Sequence, residues 1–458
     1  SKGYTGLNGA VGKVGFSLAA SHLETDGYSL ANADNNRIPH AGNTSEDDGW
    51  SQTSASGKFN IDITDNTALN VVARYTEAKM DIDDDIGYAI DNFIDPNGMK
   101  KQREESERLF GKVELVNEIL DGRFESVLGY KFARQDRDSY AANGDFGYGF
   151  VGDSDEWSWQ GNLSLMQHSN LSFGANLFSE EFDSTFSKRT EEARTLSYWG
   201  QYQLILRGFD VVAGVRYDDH EEFGGKTTWR IAPAYTFAST GTILRWVYAT
   251  GFRTPSLYEL YSDYGSESLD PEESTSFEIG VEQPVFNDRL VVGITYFWME
   301  FEDRIDWAWP DGYAQVKGES NTSGVEAFIA WYVTQELDVR LDYTYTDTEN
   351  ENGFRMELRP LNQIHTGINY TPVEKVGVSL DAYWVDERKA YSNAIDKDGT
   401  PVEVLDDYFL VNIAANYDLT DALRIYARVD NLLDEHYEEA WSYATPGQSF
   451  YAGAKFSF

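Results

Sequence analysis

Strict alternation of apolar and polar residues runs through most of the chain. In the segment LDVRLDYTYTD (337–347), apolar or aromatic residues occupy every second position, and charged or hydroxyl-bearing residues fill the positions between them. The segments VGVSLDAYW (376–384) and ALRIYARVD (422–430) have the same period. Successive side chains of a β-strand point to opposite faces, so this period predicts strands with one apolar and one polar face. We find no convincing helical period and predict an all-β chain.

The connections between the predicted strands fall into two classes that alternate along the chain. The short class comprises 62–68, 117–122, 167–170, 285–288, 333–336 and 417–421. The longer, polar class comprises 25–48, 81–102, 140–152, 254–271, 303–313, 392–402 and 432–447. Short turns at one rim and long loops at the other are typical of an antiparallel up-and-down β-barrel that crosses a membrane. We therefore predict a transmembrane barrel.

The number of strands suggests that the barrel is not complete in this chain. The alternation gives about twenty complete strands, with residues 1–10 as the stub of one more. An open barrel edge in a bilayer would leave backbone groups without partners at several kcal/mol each. We therefore expect at least one further strand upstream.

A soluble propeller or sandwich array is the alternative all-β interpretation. Its outer faces would be polar and its strands shorter, whereas here the apolar stripe recurs on nearly every strand. Many strands also begin or end on Tyr, Trp or Phe, as an interfacial aromatic girdle would require. The C-terminal segment SFYAGAKFSF (449–458) fits this picture as a final strand with Phe450, Phe456 and Phe458 on the lipid face.

The composition narrows the possible functions. The 458 residues include 77 acidic and 37 basic residues, for a net charge of -40, which argues against nucleic-acid binding because phosphate contacts need Lys and Arg. The absence of cysteine excludes a disulfide scaffold, a thiolate metal site and a cysteine nucleophile. The sequence contains neither His-Glu-x-x-His nor Gly-x-Ser-x-Gly, so we do not expect an enzyme. The acidic excess suits either a solvated surface or loops that hold divalent cations.

Three stretches resemble motifs of the TonB-dependent outer-membrane transporters. GFRTPSLYELY (251–261) resembles a loop-entry motif, LDPEESTSFEIGVE (269–282) resembles the segment leading into the next strand, and residues 431–458 resemble the C-terminal box with its terminal aromatic. The three occur in the family's order, and the resemblance covers essentially the whole chain. It implies a barrel of about 22 strands in the bacterial outer membrane. It also implies an enclosed N-terminal plug domain that binds TonB.

No segment of the sequence resembles that plug or the first strand of the barrel. We therefore interpret residues 1–458 as the barrel domain. The plug is expected to have been removed, to lie on another chain or to lie outside this sequence. So wide a barrel should leak without a plug, and a passive pore or a surface receptor is therefore an alternative function.

Within the family, the pattern most resembles the vitamin B12 (cobalamin) transporters. ETDGYS…EDDGW (24–50) and DDDIGYAIDNFIDP (83–96) resemble their two calcium-loop segments, although Ser29 stands where the pattern has an aspartate. The resemblance implies calcium ligands at Glu46, Asp48, Asp84 and Asp95. Calcium takes about six to eight oxygen ligands, which acidic loops can supply. Solvated charge runs, or cations that bridge lipopolysaccharide, are the alternative. No organic cofactor is expected.

Aromatic residues in or near the long loops are the candidate ligand contacts. They are Tyr258, Tyr261, Tyr264, Trp307, Trp309 and Trp441. Such rings are suited to stack on a corrin, a catecholate or a sugar, and packing among the loops is the alternative. Arg253, where a strand enters its loop, suits either an acidic ligand or an internal salt bridge. Many ferric siderophores are anionic, so the acidic chain favours cobalamin, with a ferric siderophore or another iron complex as the alternative ligand. The family implies TonB and outer-membrane lipid as further partners.

Overall fold

The computed structural model describes residues 1–29, 32, 35, 37, 47–82, 102–141, 143–187, 189–308, 310–391, 394 and 399–457. Within these residues, one sheet contains 21 strands, and a separate two-stranded pair forms a small hairpin. The sheet strands are β1 Lys2–Val11, β2 Val14–Thr25, β3 Trp50–Thr64, β4 Thr67–Ile82, β5 Gln102–Ile119, β6 Phe124–Tyr140, β7 Phe146–Met166, β8 Ser169–Ser184, β9 Glu191–Leu206, β10 Phe209–His220, β11 Gly224–Thr236, β12 Ile243–Arg253, β13 Glu272–Val285, β14 Leu290–Ala308, β15 Gly312–Tyr332, β16 Leu337–Glu349, β17 Asn362–Val373, β18 Val376–Val385, β21 Tyr408–Thr420, β22 Leu423–Asp430 and β23 Ser449–Phe456. The hairpin strands are β19 Arg388–Lys389 and β20 Val404–Leu405.

Each sheet strand pairs antiparallel with the next one along the chain. The pairing runs without a crossover from β1 to β18, and β18 then pairs with β21, so that the β19–β20 hairpin projects from the sheet. The segment predicted as a stub is a full strand of ten residues, because β1 pairs with β2 along its whole length. The predicted up-and-down antiparallel order is therefore confirmed.

The apolar face of the sheet points outward. Phe450 and Phe456 are 70% and 65% exposed, and Trp157 on β7 is 53% exposed. Large apolar side chains remain on the outside of a protein in such numbers where acyl chains, rather than water, cover them. Phe458, the third predicted member of the C-terminal stripe, lies outside the described residues.

The two rims differ as the sequence predicted. Short turns such as 65–66 and 421–422 close one rim, and longer connections such as 254–271 and 431–448 stand at the other. Two predicted loops, 140–152 and 303–313, are shorter than expected because the flanking strands extend into them. Region 303–313 is mostly the end of the β14–β15 pair, which continues past a bulge between Glu302 and Arg304.

Contacts between loops from the two ends of the sheet show that the sheet curves round on itself. Asn32, which follows β2, donates its backbone N–H to the carbonyl oxygen of Ser442, which precedes β23, at 2.9 Å. The side-chain amides of Asn32 and Asn35 donate to Glu438 Oε1 at 2.6 and 2.9 Å. The loop that follows β2 is therefore in contact with the loop that precedes β23. No helix in the described residues is long and apolar enough to cross a membrane.

One short helix differs from the prediction of no helix. α1, Leu257–Tyr261, lies in the connection between β12 and β13. Ser256 and Glu259 form a capping box, in which each side chain accepts a hydrogen bond from the backbone N–H of the other residue. A helix of five residues is too short to show a period of 3.6, which is why the hydrophobic pattern did not indicate it.

Candidate functional site

Arg253 is the last residue of β12, and two carboxylates hold its guanidinium. Nη1 donates to Glu259 Oε2 at 2.8 Å, and Nε donates to Glu272 Oε2 at 2.6 Å. Glu272 Oε1 also accepts the backbone N–H of Ile305 at 2.6 Å. These contacts join α1 to the upper ends of β12, β13 and β14. Of the two interpretations of Arg253, the structure shows the internal salt bridge.

Glu259 connects Arg253 to the start of α1. Its Oε2 accepts the backbone N–H of Ser256 at 2.7 Å in addition to the bond from Arg253. Burial acts to raise the pKa of Glu259, but the hydrogen bonds from Arg253 and Ser256 outweigh burial and hold the pKa below its ordinary value. Glu259 is therefore ionised at neutral pH, and α1 is fixed to the barrel wall by a charged hydrogen-bond network.

Three of the predicted ligand contacts meet in one aromatic cluster. Tyr258 lies with its ring centroid 5.7 Å from Phe150, 5.7 Å from Phe182 and 5.9 Å from Tyr313. Tyr264 lies 5.7 Å from Phe186 and 5.5 Å from Trp307, and Trp307 lies 5.2 Å from Tyr313. We call these residues the rim aromatic cluster: Phe150, Phe182, Phe186, Tyr258, Tyr264, Trp307 and Tyr313. The cluster joins α1 to β7, β8 and the β14–β15 hairpin.

Tyr261 faces a different partner. Its hydroxyl donates to the two carboxylate oxygens of Glu222 at 2.9 and 3.0 Å. Burial, followed by this hydrogen bond to a carboxylate, raises the pKa of Tyr261 to about 12. Tyr261 thus fastens the end of α1 to the β10–β11 connection.

Trp441 belongs to a second group of loops. The guanidinium of Arg37 lies 5.0 Å from the centre of its ring. Trp441 also packs against a small apolar core in the connection that contains β19 and β20. This core consists of Ala390, Ala394, Val402 and Leu405. Trp309, the remaining aromatic candidate, lies outside the described residues.

An open cavity of about 1360 Å³ lies beside α1. Ser256, Leu257 and Tyr258 of α1 and its cap form one side, and residues of β3 to β8 form the wall. The wall presents aromatic, amide, hydroxyl and charged side chains that include Trp50, Gln52, Arg74, Thr76, Ser106, Arg108, Phe110, Gln135 and Glu180. A second cavity of about 470 Å³ shares Phe178 and Glu180 with the first and contains Arg253. The two cavities follow one face of the sheet below α1, and this face is the lumen side.

The predicted calcium ligands are only partly within the described residues. Asp48 is buried, with 7% of its surface exposed, and its backbone N–H donates to the carbonyl oxygen of Tyr28 at 3.3 Å. A Cβ at Gly27 would lie 1.8 Å from the carbonyl oxygen of Asp48, so the chain approaches itself closely here. A buried carboxylate in a loop is a suitable cation ligand. Glu46, Asp84 and Asp95 lie outside the described residues, so the set of four ligands stays a prediction.

The structure also shows a cluster of three carboxylate side chains that the sequence did not indicate. Among the described residues, Glu300 and Glu302 of β14 and Glu319 of β15 bring carboxylate oxygens within 4.8 Å of one another. They lie on neighbouring strands, and their closeness depends on the register of β14 with β15.

Several residues of the site were missed from the sequence. Glu259 carries a readable signal, because Ser256-x-x-Glu259 is the pattern of a capping box. Phe150 lies on β7, in the segment 140–152 that the sequence predicts as a loop. Arg74 and Arg108 line the cavity, but the alternation shows only that each lies on a polar face.

The comparisons with known proteins agree with the fold. The family model described as TonB dependent receptor-like, beta-barrel, matches residues 4–432. The vitamin B12 transporter BtuB of Vibrio cholerae is 28% identical over 309 residues, which are 67% of this chain and 47% of that protein. BtuB of Photobacterium profundum is 25% identical over 427 residues, which are 90% of this chain and 66% of that protein. The chain thus spans about half the length of the Vibrio cholerae relative.

Solved structures show the same architecture. A mutant of the ferric enterobactin receptor PfeA from Pseudomonas aeruginosa matches with a TM-score of 0.83 at 18% identity, covering 100% of this chain and 77% of that one. The siderophore receptor PirA from Acinetobacter baumannii matches with a TM-score of 0.82 at 14% identity and the same two coverages. At such identities the likeness concerns the fold.

Proposed function

The chain belongs to the TonB-dependent receptor β-barrel family, and from this premise we propose that it captures cobalamin at the cell surface and admits it through the outer membrane. Members of this family are β-barrels of the outer membrane of Gram-negative bacteria, and this chain has that architecture. The family is one of receptors and transporters, and the proposal includes no catalytic step.

Cobalamin is favoured over other ligands by the relatives at the level of sequence. Proteins named as vitamin B12 transporters match at 25% to 30% identity, in one case over 90% of this chain. The structural neighbours named as siderophore receptors match at 13% to 18% identity. Identity this low supports a shared fold but does not indicate a shared ligand. The sequence relatives therefore weigh more in choosing the ligand.

The observation that carries the proposal is the position of Tyr258 at the edge of the open cavity. Tyr258 is held there by Phe150 and Phe182, and α1 is anchored through Arg253. A corrin is a large ring with apolar surface and peripheral amides. Aromatic side chains pack against such a surface, and the side chains of Gln52, Thr76 and Gln135 can form hydrogen bonds with amides.

We propose that the extracellular loops capture the ligand and that calcium binds to these loops. Asp48, with Glu46, Asp84 and Asp95, would hold the ion. A bound calcium ion would neutralise carboxylates that otherwise repel one another. Calcium would in this way lower the free-energy cost of ligand binding at the mouth of the barrel. Release of the ligand into the periplasm is proposed to need TonB, acting through a plug domain.

Growth of a cobalamin-dependent bacterium tests the function. The full-length protein would be expressed in a Gram-negative host that lacks its own cobalamin receptor and needs the vitamin for growth. We expect growth on trace cyanocobalamin, and we expect that growth to be lost when the host also lacks TonB. Equal growth without TonB would contradict active transport and support a passive pore. No growth, with the protein present in the outer membrane, would contradict cobalamin as the ligand.

A further inference from the structure

Two neighbouring arginines, Arg74 and Arg108, form a basic pair on the lumen wall. Arg74 of β4 is the register partner of Phe110 on β5, and Arg108 of β5 is the register partner of Thr76 on β4. The two arginines are therefore diagonal neighbours on the same face of the sheet, where such positions lie about 7–8 Å apart. Both line the large cavity beside α1. Their guanidinium groups can consequently reach one small group in that cavity.

These two arginines differ from other arginines on β5 and on the neighbouring strand β6. Arg103 of β5 and Arg134 and Arg137 of β6 each have a carboxylate partner. Within the described part of the chain, neither Arg74 nor Arg108 forms an ion pair or a hydrogen bond with its side chain. This is unexpected in a protein with 77 acidic and 37 basic residues. Two like charges on adjacent strands repel each other, so their pairing costs stability in the absence of an anion.

The surroundings of the two arginines suit a ligand. Glu104, a carboxylate on the same wall, is already engaged by Arg137. Gln135, the register partner of Arg108, offers an amide, and a Cβ on Gly152 opposite Gln135 would meet nothing within 4 Å. The lumen wall is therefore open beside Gln135. Phe110 borders the same space and provides an apolar surface.

We propose that Arg74 and Arg108 together bind the anionic oxygens of the transported small molecule. This inference rests on the proposed function. In cobalamin the only such group is the phosphodiester that joins the nucleotide to the corrin side chain. A guanidinium pairs with a phosphate through two parallel N–H···O bonds, and two guanidiniums can share the oxygens of one phosphate.

A carboxylate from a protein segment inside the lumen is the competing occupant. The cavity favours the small molecule, because the arginines share it with Phe110 and Tyr258, against which a corrin ring can pack. A surface that only received acidic side chains would not need aromatic groups at its edge.

Binding of two corrinoids tests the proposal. Cobinamide lacks the nucleotide and therefore the phosphodiester, but it keeps the corrin ring and its amides. Equilibrium dissociation constants for cyanocobalamin and dicyanocobinamide would be measured on the full-length protein in outer membranes, for the wild type, Arg74→Gln, Arg108→Gln and the double variant. Arg230→Gln is the matched control: Arg230 faces the lumen from β11, has no ion pair among the described residues and does not line the cavity.

The double variant is expected to bind cyanocobalamin about tenfold more weakly, since charge-assisted hydrogen bonds are lost. Dicyanocobinamide should bind the double variant and the wild type alike, and Arg230→Gln should leave both constants unchanged. An unchanged constant for cyanocobalamin would overturn the inference. Equal weakening of both corrinoids would also overturn it, because the arginines would then support the structure or bind a protein segment. Failure of the wild type to bind either corrinoid would instead overturn the proposed function. The two single variants keep the test decisive if the double variant does not reach the membrane.

Discussion

Arg253 Nη1 donates to Glu259 Oε2 at 2.8 Å, and the same carboxylate oxygen caps the start of α1. One side chain therefore joins the barrel wall to the helix that borders the cavity. We expect the position of Tyr258 at the cavity to depend on this link, since Tyr258 is the second residue of α1. Loss of the link should release α1 while leaving the sheet intact.

Replacing Arg253 with alanine tests this dependence. We expect the connection 254–271 to be cleaved about tenfold faster by a protease at limiting concentration, because local opening becomes more frequent. Arg424→Ala is the matched control, since Arg424 pairs with Asp418 at 2.6 Å near the turn 421–422 at the opposite rim. Cleavage of Arg253→Ala at the wild-type rate would show that other contacts fix α1.

The ring of Tyr258 is expected to contribute to ligand binding. Tyr258→Ala should weaken cyanocobalamin binding about tenfold, whereas Tyr258→Phe, which keeps the ring, should bind within about threefold of the wild type. Tyr198→Ala is the control, because Tyr198 is on β9 and its side chain is 52% exposed on the outer face. Equal cyanocobalamin binding by Tyr258→Ala and the wild type would show that the ring of Tyr258 does not contribute to ligand binding.

The hydrogen bond of Tyr261 to Glu222 predicts a loss of order in α1 at high pH. The pKa of Tyr261 is raised from 10.0 to about 12 in the folded protein. A raised pKa means that the stabilisation is complete below about pH 10 and is lost as the pH rises towards 12. The tyrosinate absorbance that develops near pH 12 should therefore be smaller by one tyrosine in Tyr261→Phe than in the wild type. An unchanged titration in the variant would contradict the assignment.

Calcium is expected to bind through Asp48. Asp48→Asn should reduce the effect of calcium on cyanocobalamin binding about tenfold, because the amide is neutral and a weaker ligand for a hard cation. Asp65→Asn, in the turn 65–66 at the opposite rim, should behave as the wild type. Calcium titration by calorimetry provides the direct measurement. Equal calcium affinity in Asp48→Asn and the wild type would exclude Asp48 from the site.

The strands could be predicted from the sequence because each carries the same period of two. That period also placed Phe450 and Phe456 on the outer face correctly. The period of two predicted less about the site around α1. α1 has five residues and shows only its capping pair, and Phe150 meets Tyr258 through contacts between β7 and a distant loop.

The absence of carboxylate partners for Arg74 and Arg108 among the described residues could not be predicted from the sequence for a similar reason. Alternation shows that Arg74 and Arg108 face the lumen with other charged residues of their strands. Whether a carboxylate lies beside them depends on the register of β4 with β5 and of β5 with β6, which is set by side-chain packing along whole strands. A shift of two residues would keep every face and change every partner.

Equilibrium binding of cyanocobalamin to the full-length protein in native outer membranes tests the central claim most directly. The measurement would be made with calcium and again after chelation. The account predicts saturable binding with calcium and weaker binding after chelation. The absence of saturable binding under both conditions, with the folded protein present in the membrane, would contradict cobalamin as the ligand.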